Sequence, residues 1–340
     1  MDQITGNLPA LITVLLVAAL LFFVGARLGV GFLIRRLAGA LVVLVAVSVV
    51  TFLLGVLQEP YAVVYTQCGV KCTPLIVHQL AHFYHLDEPW YQQYAEYVTG
   101  LIHFDFGFSW LNRERSVWDI LGSGVPISIE LGVMATVLQI ALGIPLGMLA
   151  ALRTNTWVDT AISGLSLSLL ALPTYLLIIV YFLVTELLAR NGLPHLPVAG
   201  WGQPIDAVMP VAILGFGGMG FYMRLARTSL LDVIGQDYIR TAKAKGVRLR
   251  VVLYKHALRN ALVPLVTALG PSVAFVVTGF VFTEALFNIP GIGYWTVESL
   301  VARDMPVLQA TTNLGTLALV LLNLVVDISY GFLDPRIRVI

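Results

Sequence analysis

Three histidines in the segment TPLIVHQLAHFYHL have the spacing of metal ligands. His78, His82 and His85 stand at positions i, i+4 and i+7, so a helix would place them on one face. The sequence HQLAH also has the outline of a zinc-protease motif, but Gln79 stands where that motif needs a glutamate as general base. We therefore predict no zinc catalysis here. A polar face on a helix explains the three imidazoles more simply than a metal site does.

The six residues GFGGMG, 215–220, have the spacing of a dinucleotide-binding fingerprint at Gly215, Gly217 and Gly220. That fingerprint binds a pyrophosphate only between a strand and a helix. Here it lies inside a long uncharged apolar run, where glycines let helices pack closely or provide a flexible pivot. We reject a nucleotide site in this segment.

Carboxylates and cysteines are the remaining candidates for chemistry. Glu130 and Glu284 lie within or at the end of apolar runs, where an unpaired carboxylate costs about 2–3 kcal/mol. Both are candidates for a substrate pathway, although structural pairing would also satisfy them. Glu186 lies close enough to an interface for solvent exposure to explain it. Cys68 and Cys72, the two cysteines of the chain, could form a disulfide across a short loop, and two free thiols are the alternative.

The sequence has no motif for hydrolysing ATP by the P-loop route, since GxxxxGK[ST] does not occur in the 340 residues. Neither a nucleophile elbow nor a cluster of metal ligands occurs within the apolar runs. We predict that this chain has no catalytic residues, no metal and no bound cofactor. An intramembrane enzyme therefore has little support.

The composition places the chain in a membrane. Hydrophobic residues make up 58% of it and charged residues 11%, which is more apolar surface than a soluble domain of this size can bury. A helix needs about 20 apolar residues to cross a bilayer. The qualifying runs are continuous rather than alternating, so they predict an all-α bundle of transmembrane helices. These runs are Leu8–Ala26, Leu37–Leu57, Ile120–Leu152, Thr160–Thr185, Ala207–Met223, Ala261–Thr283 and Met305–Val326.

Lysine and arginine are distributed unevenly between the loops. If residues 237–260 are cytoplasmic, alternation of the spans places 15 of the 20 basic residues on the cytoplasmic side, as the positive-inside rule expects. We therefore predict a multi-pass membrane protein with a cytoplasmic C-terminus. The first run, in residues 1–31, is predicted to be an extra transmembrane helix. A processed or disordered leader is the alternative.

The longest polar region, residues 58–119, is predicted to lie on the outer side. Pro74 and Pro89 each precede apolar residues at helical spacing, so we predict two short outer helices. A later outer loop, residues 290–304, has a Pro-Gly turn followed by an amphipathic stretch.

The stretch DYIRTAKAKG, residues 237–246, predicts a short helix. Asp237 is a natural N-cap, and Gly246 can supply the left-handed conformation that ends a helix. A helix of two to three turns is not stable alone, so we expect it to pack against something. Ala242 and Ala244 are small enough to let another backbone approach closely. The cations that follow predict a helix lying on the inner leaflet.

Several motifs, in order along the chain, resemble one family. RTAKAKG resembles the cytoplasmic EAA loop of ABC-importer permeases. DYIRTAKAKG, HALRNALVP and LVVDISYGFLDPRIR are similar to the inner-membrane permease subunits of dipeptide and oligopeptide importers, and LDEPWYQQYAEYVTGLIHFDFG and GIPLGMLAALR extend the likeness. It runs from about Phe32 to Arg338. Arg240 and Thr241 depart from the general EAA pattern, and the N-terminal run and CGVKC are not typical of the family.

The resemblance implies a permease of the bacterial inner membrane. It would have the type I importer fold in residues 32–340, with six core helices, an outer region at 58–119 and a coupling loop at 228–260. The implied partners are a homologous second permease, two cytoplasmic ATPases that bind ATP and Mg, an extracytoplasmic peptide-binding protein and the lipid bilayer, with no nucleic acid. The outer segments 59–119 and 290–304 would contact the binding protein. Similar permeases carry nickel, glutathione or other small solutes, and these cargoes are one alternative. A stand-alone secondary transporter is the other.

The same resemblance assigns contact with an ATPase to the short helix. We expect Tyr238, Ala242 and Lys245 to share one of its faces. The implied coupling residues are Asp237, Tyr238, Arg240, Thr241, Ala242, Lys243, Ala244, Lys245 and Gly246.

Overall fold

The structure is a computed structural model that describes residues 30–56, 64–65, 72–112, 114–248, 251–252, 257–266, 268 and 280–333. The described part is helical, as predicted, and its one β-type pairing is an isolated antiparallel bridge between Phe108 and Ser116. The helices are α1 (Val30–Val56), α2 (Pro74–Phe83), α3 (Trp90–His103), α4 (Val117–Leu152), α5 (Trp157–Ala171), α6 (Thr174–Arg190), α7 (Pro204–Ile234), α8 (Asp237–Ala244), α9 (Val281–Leu286), α10 (Ile292–Ala302) and α11 (Met305–Leu333).

Four of these helices are long and apolar enough to cross a membrane: α1, α4, α7 and α11. Each one contains or closely matches a run predicted from the sequence. The predicted span Leu8–Ala26 lies outside the described residues. The predicted span Ala261–Thr283 is described only near its ends, where residues 258–266 are helical and α9 begins at Val281.

The predicted span Thr160–Thr185 is not one straight helix. It is divided into α5 and α6, which together could form a fifth span but are bent by 91° at the break. Leu172 is extended, with φ −86° and ψ 117°, and Pro173 caps α6. Proline disfavours a helical conformation in the residue before it, so the bend falls where the sequence places this proline. An apolar composition on both sides concealed the break.

Close packing of α7 on α4 and α5 depends on glycines. A β-carbon at Gly143 of α4 would lie 2.8 Å from the β-carbon of Tyr222, closer than real side chains approach. A β-carbon at Gly220 of α7 would lie 2.6 Å from the carbonyl oxygen of Ser166, whose hydroxyl donates to the Gly220 carbonyl at 2.7 Å. The glycines of 215–220 therefore serve helix packing inside α7, as predicted, and not a strand-to-helix turn.

The two short outer helices form as predicted, but the histidines do not share one helix face. Thr73 caps α2, whose first residue is Pro74, and α3 begins directly after Pro89. The helix α2 ends at Phe83, and His85 follows in a left-handed conformation with φ 55°. The prediction that the three imidazoles line one helix is therefore wrong, because the chain turns before the third.

The helix α3 is joined to the spanning helices by hydroxyl groups. The side-chain amide of Asn313 in α11 donates to the Tyr97 hydroxyl at 2.7 Å, and that hydroxyl is 3.0 Å from the hydroxyl of Thr51 in α1. A second pair of hydroxyls, Ser48 and Tyr94, is 3.2 Å apart. Since a tyrosine has an apolar ring with a polar tip, it can pack on a helix and still bond to it.

Candidate coupling surface and buried carboxylates

The short helix α8 is seated on the ends of two spanning helices. Ile239 is fully buried and Ala242 is half-buried, and both pack in an apolar cluster that contains Ala151 of α4 and Leu230 of α7. Residues three apart lie on the same side of a helix, so these two define the inward face of α8. This face holds α8 against the chain's own core.

The opposite face of α8 is polar and exposed. The side chains of Asp237 and Arg240 are 98% and 75% exposed and are 3.8 Å apart at their closest charged atoms. Such an exposed ion pair contributes little to stability. Thr241, Ala244 and Lys245 are also exposed. The outward face can therefore meet a partner without disturbing the inward one.

A glycine ends α8. Gly246 has φ +76°, and the backbone N–H of Val247 donates to the carbonyl of Ala242 at 3.3 Å, which is the longer bond of a Schellman cap. Among the described residues, no atom lies within 4 Å of a β-carbon built at Gly246, so the requirement for glycine comes from its backbone conformation. The predicted left-handed glycine is confirmed.

The N-cap predicted at Asp237 is wrong by one residue. The carbonyl of Gln236 accepts from the backbone N–H of Arg240 at 3.2 Å, so Gln236 occupies the cap and Asp237 is the first residue of the helix. A carboxylate in the first turn still interacts favourably with the helix dipole. The preference of aspartate for helix starts therefore located the helix but not its cap.

Tyr238, Ala242 and Lys245, which we predicted to share one face of α8, differ in their surroundings. The hydroxyl of Tyr238 accepts from the side-chain amide of Asn260 at 2.7 Å, so this tyrosine ties α8 to the helical residues 258–266. Ala242 packs on the core, whereas Lys245 is exposed. The side chain of Lys243 lies outside the described part.

Glu284 is completely buried at a junction of three helices. Its Oε1 accepts from the backbone N–H of Phe280 at 3.0 Å, and its Oε2 accepts from that of Gly293 at 2.7 Å. Ser128 of α4 also bonds this carboxylate, and its hydroxyl oxygen accepts from the backbone N–H of Ile292 at 2.8 Å. The first N–H groups of α10 have no carbonyl partner within the helix, and this carboxylate and hydroxyl supply acceptors.

Glu130 differs from Glu284 in its surroundings. It is exposed on α4, two residues beyond Ser128 and therefore on another side of the helix. The structure does not bring the two predicted pathway carboxylates together. Structural pairing, the alternative considered for both, describes Glu284, and a pathway role for either residue stays a prediction.

A second buried carboxylate holds the outer segments together. Asp304, between α10 and α11, accepts from the backbone N–H groups of Trp110 at 3.0 Å and Leu111 at 3.3 Å, and from the hydroxyl of Ser109. The sequence placed this aspartate in a loop that meets a partner. Its contacts are with residues almost 200 positions earlier, for which the sequence gives no signal.

An ion pair that the sequence did not indicate joins α5 to α7. The buried carboxylate of Asp159 accepts hydrogen bonds from Nε and Nη2 of Arg227 at 2.6 and 2.8 Å. It also accepts one from the backbone N–H of Asn155 at 3.1 Å. Charge counting treated Arg227 only as one of many basic residues on one side. The position of Asp159 in the first turn of α5 was the available signal, since acidic residues favour helix starts.

The end of α2 and the turn that follows it hold two pairs of titratable side chains. His82 Nδ1 lies 2.9 Å from Asp87, and this hydrogen bond lowers the pKa of Asp87. His85 Nδ1 lies 2.9 Å from Glu88, and this hydrogen bond raises the pKa of His85. Nearby, Cys72 is disulfide-bonded. Cys68 lies outside the described residues, so its predicted pairing with Cys72 stays a prediction.

The fold is that of a multi-pass helical membrane protein with a short exposed helix after one of its spans. Residues 143–339 match the family described as the inner membrane component of binding-protein-dependent transport systems, and residues 30–132 match the N-terminal part of such membrane components. The chain belongs to this family of transport permeases. The predicted domain limits at 31/32, 58–119 and 228–260 stay predictions.

Individual relatives agree with the family. The chain is 43% identical over 259 residues to the dipeptide transport system permease protein DppB of Bacillus subtilis, which covers 76% of this chain and 83% of the relative. It is 34% identical over 337 residues to DppB of Escherichia coli K12, and the match covers 90% of this chain and 98% of the relative. It is 37% identical over 268 residues to the oligopeptide transport system permease protein OppB of Haemophilus influenzae, and the match covers 78% of this chain and 86% of the relative. The resemblance to dipeptide and oligopeptide permeases is confirmed.

Proposed function

We propose that this chain forms half of the translocation pathway of an ATP-driven importer for di- and oligopeptides. A homologous second permease would form the other half, two cytoplasmic ATPases would bind ATP and Mg, and an extracytoplasmic binding protein would deliver the peptide. The names of the relatives support the peptide substrate, and the family description supports dependence on a binding protein. The family description supports an inner-membrane location, and the uneven distribution of lysine and arginine supports a cytoplasmic C-terminus.

The observation that carries the proposal is the two-sided character of α8. Its outward face offers charged and small side chains, and its inward face contacts α4 and α7 through Ile239 and Ala242. A partner that grips the outward face would push on both spanning helices. This chain has no P-loop motif, so the coupling to ATP would be mechanical.

The transport cycle then follows from alternating access. ATP binding closes the pair of ATPases, α8 moves with the ATPase that holds it, and the attached spans turn so that the cavity faces outward. Hydrolysis returns the assembly to its inward-facing state. In this cycle the peptide contacts the spans and never meets the nucleotide.

Bulky substitution on α8 tests the docking surface. Ala244→Trp adds a large side chain to the outward face, so we expect intact insertion, an unchanged melting temperature and the loss of ATP-driven peptide uptake in proteoliposomes containing the whole importer. Thr160→Trp, at an exposed position of α5, is the matched control and should transport normally. Gly246→Asp should also abolish uptake, because it adds a charged side chain at the exposed end of the docking surface.

Normal uptake by Ala244→Trp at equal expression would contradict docking through α8. Uptake by the unaltered assembly that continues without ATP would instead favour the secondary transporter. A competition experiment tests the cargo: uptake of a labelled dipeptide is measured in the presence of unlabelled peptides, nickel or glutathione. We expect only the peptides to reduce it.

A cross-linking experiment tests the outer partner. Val301 of α10 is 78% exposed, so a cysteine introduced there should cross-link to the binding protein and only when that protein is present. Labelling that ignores the binding protein would count against this surface. The same experiment with a cysteine at Leu183, exposed on α6, supplies the control position.

A further inference from the structure

The segment 72–112 has an unusual charge inventory. It contains four acidic residues and four histidines, and it contains neither lysine nor arginine. Its carboxylates therefore have no permanently charged side chain of their own segment to neutralise them. The acidic residues are Asp87, Glu88, Glu96 and Asp105, and the histidines are His78, His82, His85 and His103.

Three of these side chains converge. Nδ1 of His85 lies 2.9 Å from Oε1 of Glu88 and 3.7 Å from Oε1 of Glu96, and the three ligand atoms all lie within 4.8 Å of one another. A tetrahedral zinc ion with bonds of 2.0–2.1 Å would hold its ligand atoms about 3.3 Å apart. The observed separations lie on both sides of that distance, so binding would need only small side-chain movements.

The backbone that carries these ligands is held in place. His85 has the left-handed conformation, its N–H donates to the carbonyl of His82 at 3.1 Å, and the Glu88 N–H donates to the His85 carbonyl at 3.3 Å. The side chain of Gln93 in α3 donates to the Glu88 carbonyl at 2.7 Å. The ligands thus come from two elements, the turn and the first half of α3, whose relative position is already fixed.

We propose that His85, Glu88 and Glu96 form a site for a divalent transition-metal ion of the zinc class. One imidazole nitrogen and two carboxylate oxygens suit zinc better than calcium or magnesium, which take oxygen ligands and more of them. The side chains are 53%, 33% and 57% exposed, which leaves the fourth position to water. The site is separate from the transport proposal and does not depend on it.

Metal binding here would act on the outer surface. The ion would clamp the turn to α3, and the ring of Tyr84 in that turn lies 5.0 Å from the ring of Trp110. The backbone of Trp110 is in turn bonded to Asp304. The bound ion would therefore stiffen the turn between α2 and α3, which is linked through Tyr84 and Trp110 to the buried carboxylate of Asp304.

The same turn supplies a matched control. His82 and Asp87 form a pair at the same 2.9 Å distance, but no third ligand among the described residues completes a metal set with them. A site that needs three ligands should be lost when His85 is removed and kept when His82 is removed.

Zinc binding to the full chain in lipid nanodiscs tests the proposal, with any affinity tag removed and prior chelator treatment. Titration in competition with a chromogenic chelator should give one zinc per chain. We expect the affinity to fall at least about tenfold in His85→Ala and Glu96→Gln and to stay unchanged in His82→Ala. Calcium in about hundredfold excess should not displace the zinc.

Melting temperatures show whether a variant loses zinc affinity because it lacks a ligand or because it is misfolded. Without metal, Glu96→Gln should melt like the unaltered chain, and zinc should raise the melting temperature of the unaltered chain and of His82→Ala only. Equal zinc affinity in His85→Ala and His82→Ala, binding well below one ion per chain, or displacement by calcium would each overturn the site and leave a hydrogen-bonded cluster.

Discussion

The two ends of the spanning helices are held by different kinds of contact. At the end that carries α8, Ile239 and Ala242 pack on apolar neighbours from α4 and α7. At the other end, the buried carboxylate of Glu284 accepts a hydrogen bond from the backbone N–H of Gly293 in α10, and that of Asp304 accepts one from the backbone N–H of Trp110. Apolar packing has no preferred direction, whereas hydrogen bonds weaken steeply when their geometry changes. The packing of Ile239 and Ala242 should therefore tolerate small shifts better than the carboxylate contacts do.

The largest effect is expected from Glu284→Ala. It leaves the N–H groups of Phe280 and Gly293 buried without an acceptor, so we expect a loss of about 4 kcal/mol in the free energy of unfolding. Thermal unfolding in nanodiscs measures it. Glu130→Gln is the control, because Glu130 is exposed on α4, and it should change stability by less than about 0.5 kcal/mol. Similar losses in both variants would remove the distinction between these two carboxylates.

The next effect is expected from Asp304→Ala, at about 3 kcal/mol, since the N–H groups of Trp110 and Leu111 lose their acceptor. Hydrogen exchange should speed up at residues 109–111 as well as at the start of α11. Glu298→Ala, at an exposed position of α10, should leave exchange there unchanged. Protection that persists at 109–111 would mean that the outer end is not held by this carboxylate.

A smaller and local effect is expected from Ile239→Ala, at about 2 kcal/mol from the buried volume that is lost. The amides of α8 should exchange faster while those of α4 keep their protection, because α8 can leave its seat without unfolding the bundle. Thr241→Ala, on the exposed side of α8, is the control. Uniform loss of protection in α4 and α8 would show that the two ends are equally rigid.

The smallest effect is expected from Gly246→Ala, at about 1 kcal/mol, because alanine is strained at φ +76°. The control is Gly235→Ala, since Gly235 has φ −72° and only ordinary contacts around a β-carbon. We expect Gly246→Ala to shift exchange at α8, and Gly235→Ala to leave it unaltered. Identical behaviour would mean that the left-handed cap does not position α8.

The sequence predicted those features that depend on local pattern. The apolar runs located α1, α4, α7 and α11, and Gly246 located the end of α8. Span length and backbone conformation depend on residues that are neighbours in the sequence, so the sequence alone can predict them. The inward face of α8 was available too, since Ile239 and Ala242 are apolar residues three apart. Small size drew attention to Ala242 and Ala244 together, although they point to different surroundings.

The remaining features depend on contacts between distant residues. The N–H of Trp110 donates to Asp304 across 194 positions, and the N–H of Ile292 donates to Ser128 across 164 positions. Nothing near these residues in the sequence indicates either pairing. Arg227 reaches Asp159 across 68 positions in the same way. The bend at Pro173 was visible as a proline, but a proline inside an apolar run is also compatible with a kinked continuous helix.

The helix α4 connects the start of α10 with the region that packs against α8. Ser128, about a third of the way along α4, bonds the start of α10, and Ala151 near the C-terminal end packs in the cluster that holds α8. At helical rise these two positions are about 34 Å apart. Glycines set the backbone of α4 so close to α7 that the two helices have little room to slide. In the proposed cycle, a push at α8 would therefore move α4 and α7 together.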